Sequence, residues 1–356
     1  MAKWTLRHLP PGGALAFAIL CLTVTVPAIG AEITPTSRLE CSYVMTGELN
    51  EDDIVAVEKA YSEVDPEEMG GTELRTRRIC LDSPGGKYLV GVNLASMFRQ
   101  KGISTYVDRH ASCLSACALA FMGGYEFQYS GEEQGPNRTI EVGAVLGFHA
   151  PYLSVAKQNY TKDDIEAAYA FANLSIAKFL GLANRRGQFS AEPLFSSSLL
   201  QETLQKSPSE FYLIDTVAKA VRWNISIDGV ALAPKATGLS YIYACENFMS
   251  AAKDEFVSRH QYGQDNNELI SVTNFANERG NGVRAIVEFA GYVSERCFID
   301  VKQEKNSAVY ATLAYDDEFT GVKVGNSSEY FSGAFLQPAA FFEGSTKLLD
   351  LPIVAK

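Results

Sequence analysis

The chain has 356 residues, a length that predicts two domains, each able to bury its own core. Hydrophobic residues make up 47% and charged residues 21% of the sequence, which excludes disordered and collagen-like classes. Asp and Glu outnumber Lys and Arg by 42 to 31, and a net charge of −11 argues against nucleic acid as a partner.

The N-terminus has the pattern of a secretory signal peptide. Lys3 and Arg7 precede an apolar run from Ala14 to Val26, and small residues follow up to Gly30. We predict cleavage after Gly30, so that residues 1–30 are the signal peptide. The mature protein is then periplasmic or secreted, and we expect it to lie near a membrane only before cleavage. The alternative is an uncleaved anchor, but the run is shorter than the roughly 20 residues that a span requires.

The first regular structure that the sequence predicts is a βαβ unit. Arg78 to Asp82 has the pattern of a buried strand, and Ser83 to Gly86 that of a tight turn. An amphipathic helix follows from Lys87 to Lys101, and Ile103 to Val107 is the next strand. Such a unit predicts a parallel sheet with right-handed crossovers.

A second unit begins with a helix of small residues from Ser115 to Met122. Short strands are predicted at Glu126–Tyr129 and Val142–Phe148, around a loop from Ser130 to Arg138. The longest predicted helix, Asp163 to Arg185, carries an apolar stripe. That stripe comprises Ile165, Ala168, Tyr169, Ala172, Ile176, Phe179, Leu180 and Ala183. Shorter helices are predicted at Glu192–Gln205 and Asp215–Trp223.

The pattern changes after about residue 235. Ala236 to Val257 is partly helical in pattern, and four strands are predicted after it. Those strands are Arg284–Val293, Arg296–Lys302, Ala308–Tyr315 and Gly321–Val324. We therefore predict an α/β domain over residues 31–235 and a smaller α+β domain of unknown role over residues 236–356.

Four sequence pieces carry the chemistry of a serine hydrolase. Adjacent glycines at Gly85 and Gly86 let backbone N–H groups approach a developing oxyanion. Ser115 opens a helix, where the helix dipole favours an anionic oxygen. His149 can serve as general base, and Glu210 is the nearest carboxylate that could orient it.

These motifs and their order resemble the Clp protease proteolytic subunit and signal peptide peptidase families, which have the ClpP/crotonase-like fold. The motifs are Ser83-Pro84-Gly85-Gly86, Ser115 in a helix that ends at Gly123-Gly124, and His149-Ala150-Pro151. The resemblance covers about residues 40–230 and is closest to exported bacterial ClpP-like proteins. It implies an α/β spiral of βαβ units, a peptide or protein substrate, self-association and no cofactor.

The resemblance also assigns roles to single residues. Ser115 would be the nucleophile and His149 the base, and the backbone N–H groups of Gly86 (or Gly85) and Ala116 would hold the oxyanion. The sequence departs from the family at the acid, because no aspartate stands at the expected place. Glu210 is the first candidate for this role and Asp215 the second.

Six cysteines remain once Cys21 leaves with the signal peptide, and an even number in an exported chain predicts disulfides. We expect the pairs Cys113–Cys117, which would brace the turn at Ser115, and Cys245–Cys297, the only two in the second domain. The fold implied by the resemblance adds Cys41–Cys80, in neighbouring strands. A zinc site at His110, Cys113 and Cys117 lacks a fourth ligand, so we predict no metal.

The leading prediction is an exported serine hydrolase, which the resemblance implies is a peptidase, and the alternative is a ClpP-like binding or scaffold protein without turnover. Ser115 as a plain helix N-cap and Glu210 as a solvated charge are the structural alternatives for those residues.

Overall fold

The structure is a computed structural model that describes most of the chain between residues 30 and 354. The described ranges are 30–37, 40–62, 77–127, 133–152, 158–184, 193, 195–207, 209–231, 238–260, 270–277, 280–289, 295–303, 309–317, 322–324 and 338–354. The predicted signal peptide, apart from Gly30, lies outside the described residues, as do residues 130–132 of the predicted loop and 128–129 of the strand predicted before it.

The helices largely follow the sequence pattern. In chain order they are α1 (Asp52–Ser62), α2 (Tyr88–Lys101), α3 (Ala116–Phe121), α4 (Lys162–Ala183), α5 (Ser197–Leu204), α6 (Val217–Arg222) and α7 (Gly238–Lys253). Their ends have local causes. Gly102 ends α2 in a left-handed conformation, and the side chains of Ser196 and Thr216 accept backbone N–H bonds at the starts of α5 and α6. Helix α1 was not predicted.

The strands of the N-terminal two-thirds are short. In chain order they are β1 (Glu32–Pro35), β2 (Tyr43–Thr46), β3 (Arg78–Asp82), β4 (Ser104–Val107), β5 (Ser112–Leu114), β6 (Tyr125–Phe127), β7 (Glu133–Pro136), β8 (Arg138–Glu141), β9 (Val145–Phe148), β10 (Tyr212–Leu213) and β11 (Ser226–Asp228). Within the described residues, the main sheet has the order β1-β2-β3-β4-β8-β11, and it is parallel from β2 to β11. The predicted α/β class with a parallel sheet is therefore confirmed.

A second small sheet positions the candidate site. Its strand order is β10-β9-β5, in which β9 is parallel to β5 and antiparallel to β10. The single strand predicted at Val142–Phe148 is wrong at its start, because a turn at Val142 and Gly143 separates β8 from β9. This turn lets the chain leave the main sheet and enter the small one.

The C-terminal part is an antiparallel meander beside helix α7. Its described strands are β12 (Ile270–Asn277), β13 (Gly280–Phe289), β14 (Glu295–Gln303), β15 (Val309–Asp317) and β16 (Val322–Val324). Strand β12 was not predicted, whereas the other four lie close to the predicted ranges. The mixture of a helix and an antiparallel sheet agrees with the predicted α+β character, and the domain boundary after residue 235 stays a prediction.

The last described segment, residues 338–354, returns to the first part of the chain. Thr216 and Lys347 form an antiparallel bridge, and so do Val230 and Ile353. The N–H of Ala231 also donates to the Pro352 carbonyl at 2.7 Å. The C-terminus therefore covers the edge of the main sheet beside β11.

All three predicted disulfides are present. They join Cys41 to Cys80, Cys113 to Cys117, and Cys245 to Cys297. The first links the start of β2 to β3, the second links β5 to α3, and the third fastens α7 to β14. Because two of the cysteines are bonded to each other, the zinc alternative at Cys113 and Cys117 is removed.

Helix α4 buries a narrower stripe than its sequence predicts. Its buried side chains lie in the second half, where Phe179 packs edge-on against Tyr88 of α2. Ile165 and Tyr169, which the pattern assigned to the core, are 61% and 70% exposed. The first half of α4 therefore presents apolar side chains to solvent. Among the described residues, no helix combines the length and apolar character needed to cross a bilayer.

Candidate active site

The glycine turn directly follows β3 and folds tightly on itself. Ser83 is buried, and its hydroxyl accepts the Gly85 N–H at 3.1 Å. Gly85 and Gly86 have φ values of 108° and 143°, in a region that other residues rarely adopt. A Cβ at Gly85 would lie 2.7 Å from the Cβ of Ser115. The turn therefore needs glycine there in order to approach Ser115.

Strand β5 carries Ser115 to the same place. The Ser83 N–H donates to the Ser112 carbonyl at 2.7 Å, and the Leu114 N–H donates to the Ser83 carbonyl at 3.1 Å. These bonds extend the parallel pairing beyond the end of β3 and align it with β5. The glycine turn and Ser115 are thus held together by backbone hydrogen bonds, and not by side chains alone.

Ser115 occupies a sharp turn between strand β5 and helix α3. Its φ and ψ are 56° and −122°, a sparsely populated conformation that costs on the order of 1–3 kcal/mol for a residue with a side chain. A nucleophilic serine at a strained strand-to-helix turn is a recurrent hydrolase arrangement. Ser115 stands at the N-cap position, but its side chain makes no capping hydrogen bond. The simple capping alternative is therefore wrong.

The Cys113–Cys117 disulfide spans this turn. Both cysteines are buried, one of them two residues before and the other two residues after Ser115. The Ser115 N–H also donates to the Gly147 carbonyl of β9 at 2.9 Å. The strained backbone is therefore fixed covalently along the chain and by a hydrogen bond across the small sheet.

His149 leaves β9 at the same edge at which Ser115 leaves β5. The parallel register pairs Leu114 with Gly147, so the two strands end side by side. His149 is buried, and its ring packs against Phe211 and Tyr152 with centroids 5.0 and 5.5 Å away. Sequence reasoning missed these two aromatic neighbours, because they come from separate loops.

The His149 ring has a defined hydrogen-bond partner. Its Nδ1 lies 2.7 Å from the carbonyl oxygen of Ala150. A carbonyl can only accept, so Nδ1 must carry the proton, and in the neutral ring Nε2 is then the basic nitrogen. Among the described residues, no carboxylate forms a hydrogen bond with His149.

The two candidate acids bind other groups. Glu210 is exposed and accepts a hydrogen bond from the Ser207 hydroxyl at 3.2 Å. The orienting role predicted for Glu210 stays a prediction. Asp215 instead forms ion pairs with Lys219 at 2.6 Å and Lys347 at 2.5 Å. Burial raises the pKa of Asp215, but the hydrogen bonds with the two lysines outweigh it and leave the pKa lowered.

A search of solved structures finds proteins similar to this chain over about half of its length. ClpP1 from Listeria monocytogenes matches at 14% identity, over 53% of this chain and 91% of that one, with a TM-score of 0.33. Two structures of 1510-N, a membrane-bound stomatin-specific protease, match at 12% and 18% identity with TM-scores of 0.32 and 0.30. They cover 52% and 46% of this chain, and 76% and 64% of theirs.

The second of the 1510-N structures is a complex with a substrate peptide. No protein-family model and no curated protein matches the chain.

Proposed function

We propose that this chain is an exported serine hydrolase that acts on peptides or proteins. The observation that carries the proposal is the backbone of Ser115, which is held at φ 56° on a strand-to-helix turn and packed against Gly85. Strain of this kind persists only where the surrounding structure enforces it, and it clusters at functional sites. A hydroxyl that caps no helix is available for other chemistry.

The reaction follows from the order of the groups. The Oγ of Ser115 attacks the substrate carbonyl carbon while its proton passes to Nε2 of His149. The protonated ring then gives that proton to the leaving amine, and an acyl ester remains on Ser115. Water deprotonated by His149 hydrolyses this ester and restores both residues. The Ala150 carbonyl keeps Nδ1 protonated throughout.

The oxyanion would be held by the backbone N–H groups of Gly86 and Ala116. Gly85 is the weaker choice, because its N–H already donates to the Ser83 hydroxyl at 3.1 Å. Gly86 forms a parallel bridge with Leu49, and the two hydrogen bonds of this bridge are made by the Gly85 carbonyl and the Lys87 N–H. The N–H of Gly86 itself therefore faces away from Leu49. Donors of this type typically contribute a factor of about 10²–10³ in rate.

Export is part of the proposal. The three disulfides are the bonds expected of a periplasmic or secreted protein, in an oxidising compartment. We propose cleavage of the signal peptide after Gly30, with residues 31–235 as the ClpP-like domain and residues 236–356 as the second domain.

Self-association is also part of the proposal. In the first half of α4, Ile165 and Tyr169 lie one turn apart on the same face and are 61% and 70% exposed. Clustered exposed apolar side chains mark interaction surfaces. A second copy of the chain that covers this face would form a homo-oligomer.

A binding or scaffold protein without turnover is the second candidate. It is favoured by one observation, namely that His149 is oriented by the Ala150 carbonyl and, within the described residues, by no carboxylate. A carbonyl fixes the ring but stabilises the imidazolium less than a charged group does.

The test is covalent labelling with a fluorophosphonate probe. Wild-type protein should label at Ser115, and Ser115→Ala should abolish labelling while far-UV circular dichroism stays unchanged. Ser96→Ala is the matched control and should label like wild type, because the half-buried Ser96 hydroxyl bonds to Gln100 within α2. Labelling that persists in Ser115→Ala, or folded wild-type protein that never labels, would overturn the hydrolase proposal and leave the scaffold candidate.

A further inference from the structure

A buried carboxylate stands next to the proposed cleavage site. Asp53 lies in the first turn of α1 and is only 2% exposed. Burial raises its pKa, which backbone hydrogen bonds from Asn50 and Ala31 oppose without cancelling. Among the described residues, no cationic side chain forms an ion pair with Asp53. The two backbone hydrogen bonds bring no positive charge to the buried carboxylate, so a cation at this place would be stabilising.

The start of the mature chain lies against this carboxylate. Ala31 is 9% exposed and is part of the hydrophobic core, and its backbone nitrogen hydrogen-bonds to Asp53. A Cβ at Gly30 would clash with Oδ1 of Asp53 and would lie 2.5 and 2.6 Å from Nδ2 and Oδ1 of Asn50. Residue 30 therefore lies in a polar cradle made of the side chains of Asn50 and Asp53.

We infer that Asp53 is the counter-ion of the α-ammonium group that forms on Ala31 when the leader is removed. The inference rests on the exported part of the proposed function, in which cleavage follows Gly30. A leader peptidase hydrolyses the Gly30–Ala31 peptide bond with one water molecule. Gly30 leaves as the carboxylate end of the leader, and the nitrogen of Ala31 becomes an ammonium at neutral pH.

The change matches the chemistry of the cradle. The amide nitrogen of Ala31 has one hydrogen to donate, whereas an ammonium has three and a full positive charge. Oδ1 of Asp53 and Oδ1 of Asn50 are acceptors beside the position that Gly30 vacates. A charge-assisted hydrogen bond is about twice as strong as a neutral one, so processing strengthens a contact that the unprocessed chain already makes.

The pair is connected to the candidate active site. The Asn50 N–H donates to Oδ2 of Asp53 at 2.7 Å, and the preceding Leu49 N–H donates to the Gly85 carbonyl at 2.7 Å. The Lys87 N–H in turn donates to the Leu49 carbonyl at 3.0 Å. Asp53 is therefore joined, through Asn50 and Leu49, to the segment that bonds to the glycine turn.

The test compares a chain that begins at Ala31 with one that keeps Gly30 as its first residue, each with wild-type Asp53 and with Asp53→Asn. Reductive dimethylation followed by mass spectrometry gives the pKa of the α-amino group. In the chain that begins at Ala31, we expect the α-amino pKa with wild-type Asp53 to be at least one unit above the α-amino pKa in Asp53→Asn. Near neutral pH, that difference makes dimethylation of the α-amino group about tenfold slower. Asp52→Asn, an exposed neighbour in the same turn, is the control and should react like wild type.

Thermal unfolding gives a second readout. The extra Gly30 should lower the Tm of the wild-type chain and leave that of Asp53→Asn unchanged. An equal loss in both backgrounds would overturn the inference. If Asp53→Asn fails to fold, the wild-type titration decides alone, and an α-amino pKa at or below the ordinary value of about 8 would also overturn it.

Failure of this inference is separable from failure of the hydrolase proposal. Sequencing the N-terminus of exported protein and labelling Ser115 are independent measurements. A mature chain that starts elsewhere than Ala31 overturns the Asp53 pairing and leaves the serine chemistry in place. If the Ala31 ammonium pairs with Asp53 as expected but Ser115 is not labelled, the inference about Asp53 stands and the hydrolase proposal fails.

Discussion

Nδ1 of His149 lies 2.7 Å from the carbonyl oxygen of Ala150, its neighbour in the chain. Because the carbonyl can only accept, this contact sets the tautomer of the ring, and within the described part of the chain no carboxylate bonds to His149. The proposed base and the group that orients it therefore come from consecutive residues.

The first prediction concerns His149 and Glu210. His149→Ala should slow fluorophosphonate labelling by about 10²–10⁴, the usual contribution of a positioned base. Glu210→Gln should change the rate by less than about threefold, because the Glu210 carboxylate accepts from Ser207. Stopped-flow or gel-based labelling rates decide it, and a loss in Glu210→Gln comparable with that in His149→Ala would contradict the role of the Ala150 carbonyl.

The second prediction concerns Gly85. Gly85→Ala adds a Cβ where the Ser115 Cβ is 2.7 Å away, and φ is 108° there. The turn must move, so we expect labelling of Ser115 to fall at least tenfold. Gly181→Ala is the matched control, since nothing lies within 4 Å of its added Cβ and the site is helical. Equal labelling of the two variants would show that the turn is not part of the site.

The third prediction separates two disulfides. Cys245 and Cys297 close a loop with a sequence separation of 52, whereas Cys113 and Cys117 are 4 apart. Loop-closure entropy gives about 4 and about 2 kcal/mol for the two bonds. Replacing the long-range pair by alanine should therefore cost more in urea unfolding, whereas replacing the short pair should cost more in Ser115 labelling. If loss of the Cys245–Cys297 bond had the larger effect in both assays, the result would contradict the proposal that Cys113–Cys117 braces the turn at Ser115.

The sequence predicted the strand, glycine turn and helix around Ser83 to Gly86 because each element has a local signal. It could not predict the orientation of His149, because the Ala150 contact depends on how the backbone leaves β9. The positive φ of Ser115 has no local signal either, since a serine carries no preference for it and the neighbouring strands enforce it.

Long-range placement explains the other differences. Ile165 and Tyr169 fit the apolar period of α4, but among the described residues the helix buries side chains only along its second half, and periodicity does not report where a partner ends. Asp215 was a candidate acid by its position in the chain. The C-terminal segment brings Lys347 to it, and no pattern near residue 215 indicates that contact.

The fourth prediction concerns Asp215 and pH. The folded-state pKa of Asp215 is lowered, so its contribution to stability is fully present above the unfolded value near 3.8 and is lost as the pH falls through the folded pKa. Asp215→Asn should therefore lower the Tm at pH 7, and the difference from wild type should shrink below about pH 4. Lys347→Met should reproduce part of the loss at pH 7. A pH-independent difference would contradict the ion pairs.

The fifth prediction concerns the exposed face of α4. Tyr169→Ser and Ile165→Ser remove two apolar side chains that are 70% and 61% exposed, and they should leave the fold intact. If this face holds a second copy of the chain, the double variant should have a lower molar mass than wild type by light scattering. Phe256→Ser, which changes a half-exposed aromatic elsewhere, should not. An unchanged mass would place any oligomer contact on another surface.

The covering of β11 by residues 338–354 also affects the order in which the protein can fold. A growing polypeptide leaves the ribosome from its amino end, yet Val230 and Ala231 find their backbone partners at Ile353 and Pro352, far later in the sequence. These backbone groups therefore stay unpaired until residues 352 and 353 have been synthesised. Native packing beside β11 is postponed until then, so in the proposed export the preceding segment would reach the translocation machinery with this border still unpaired.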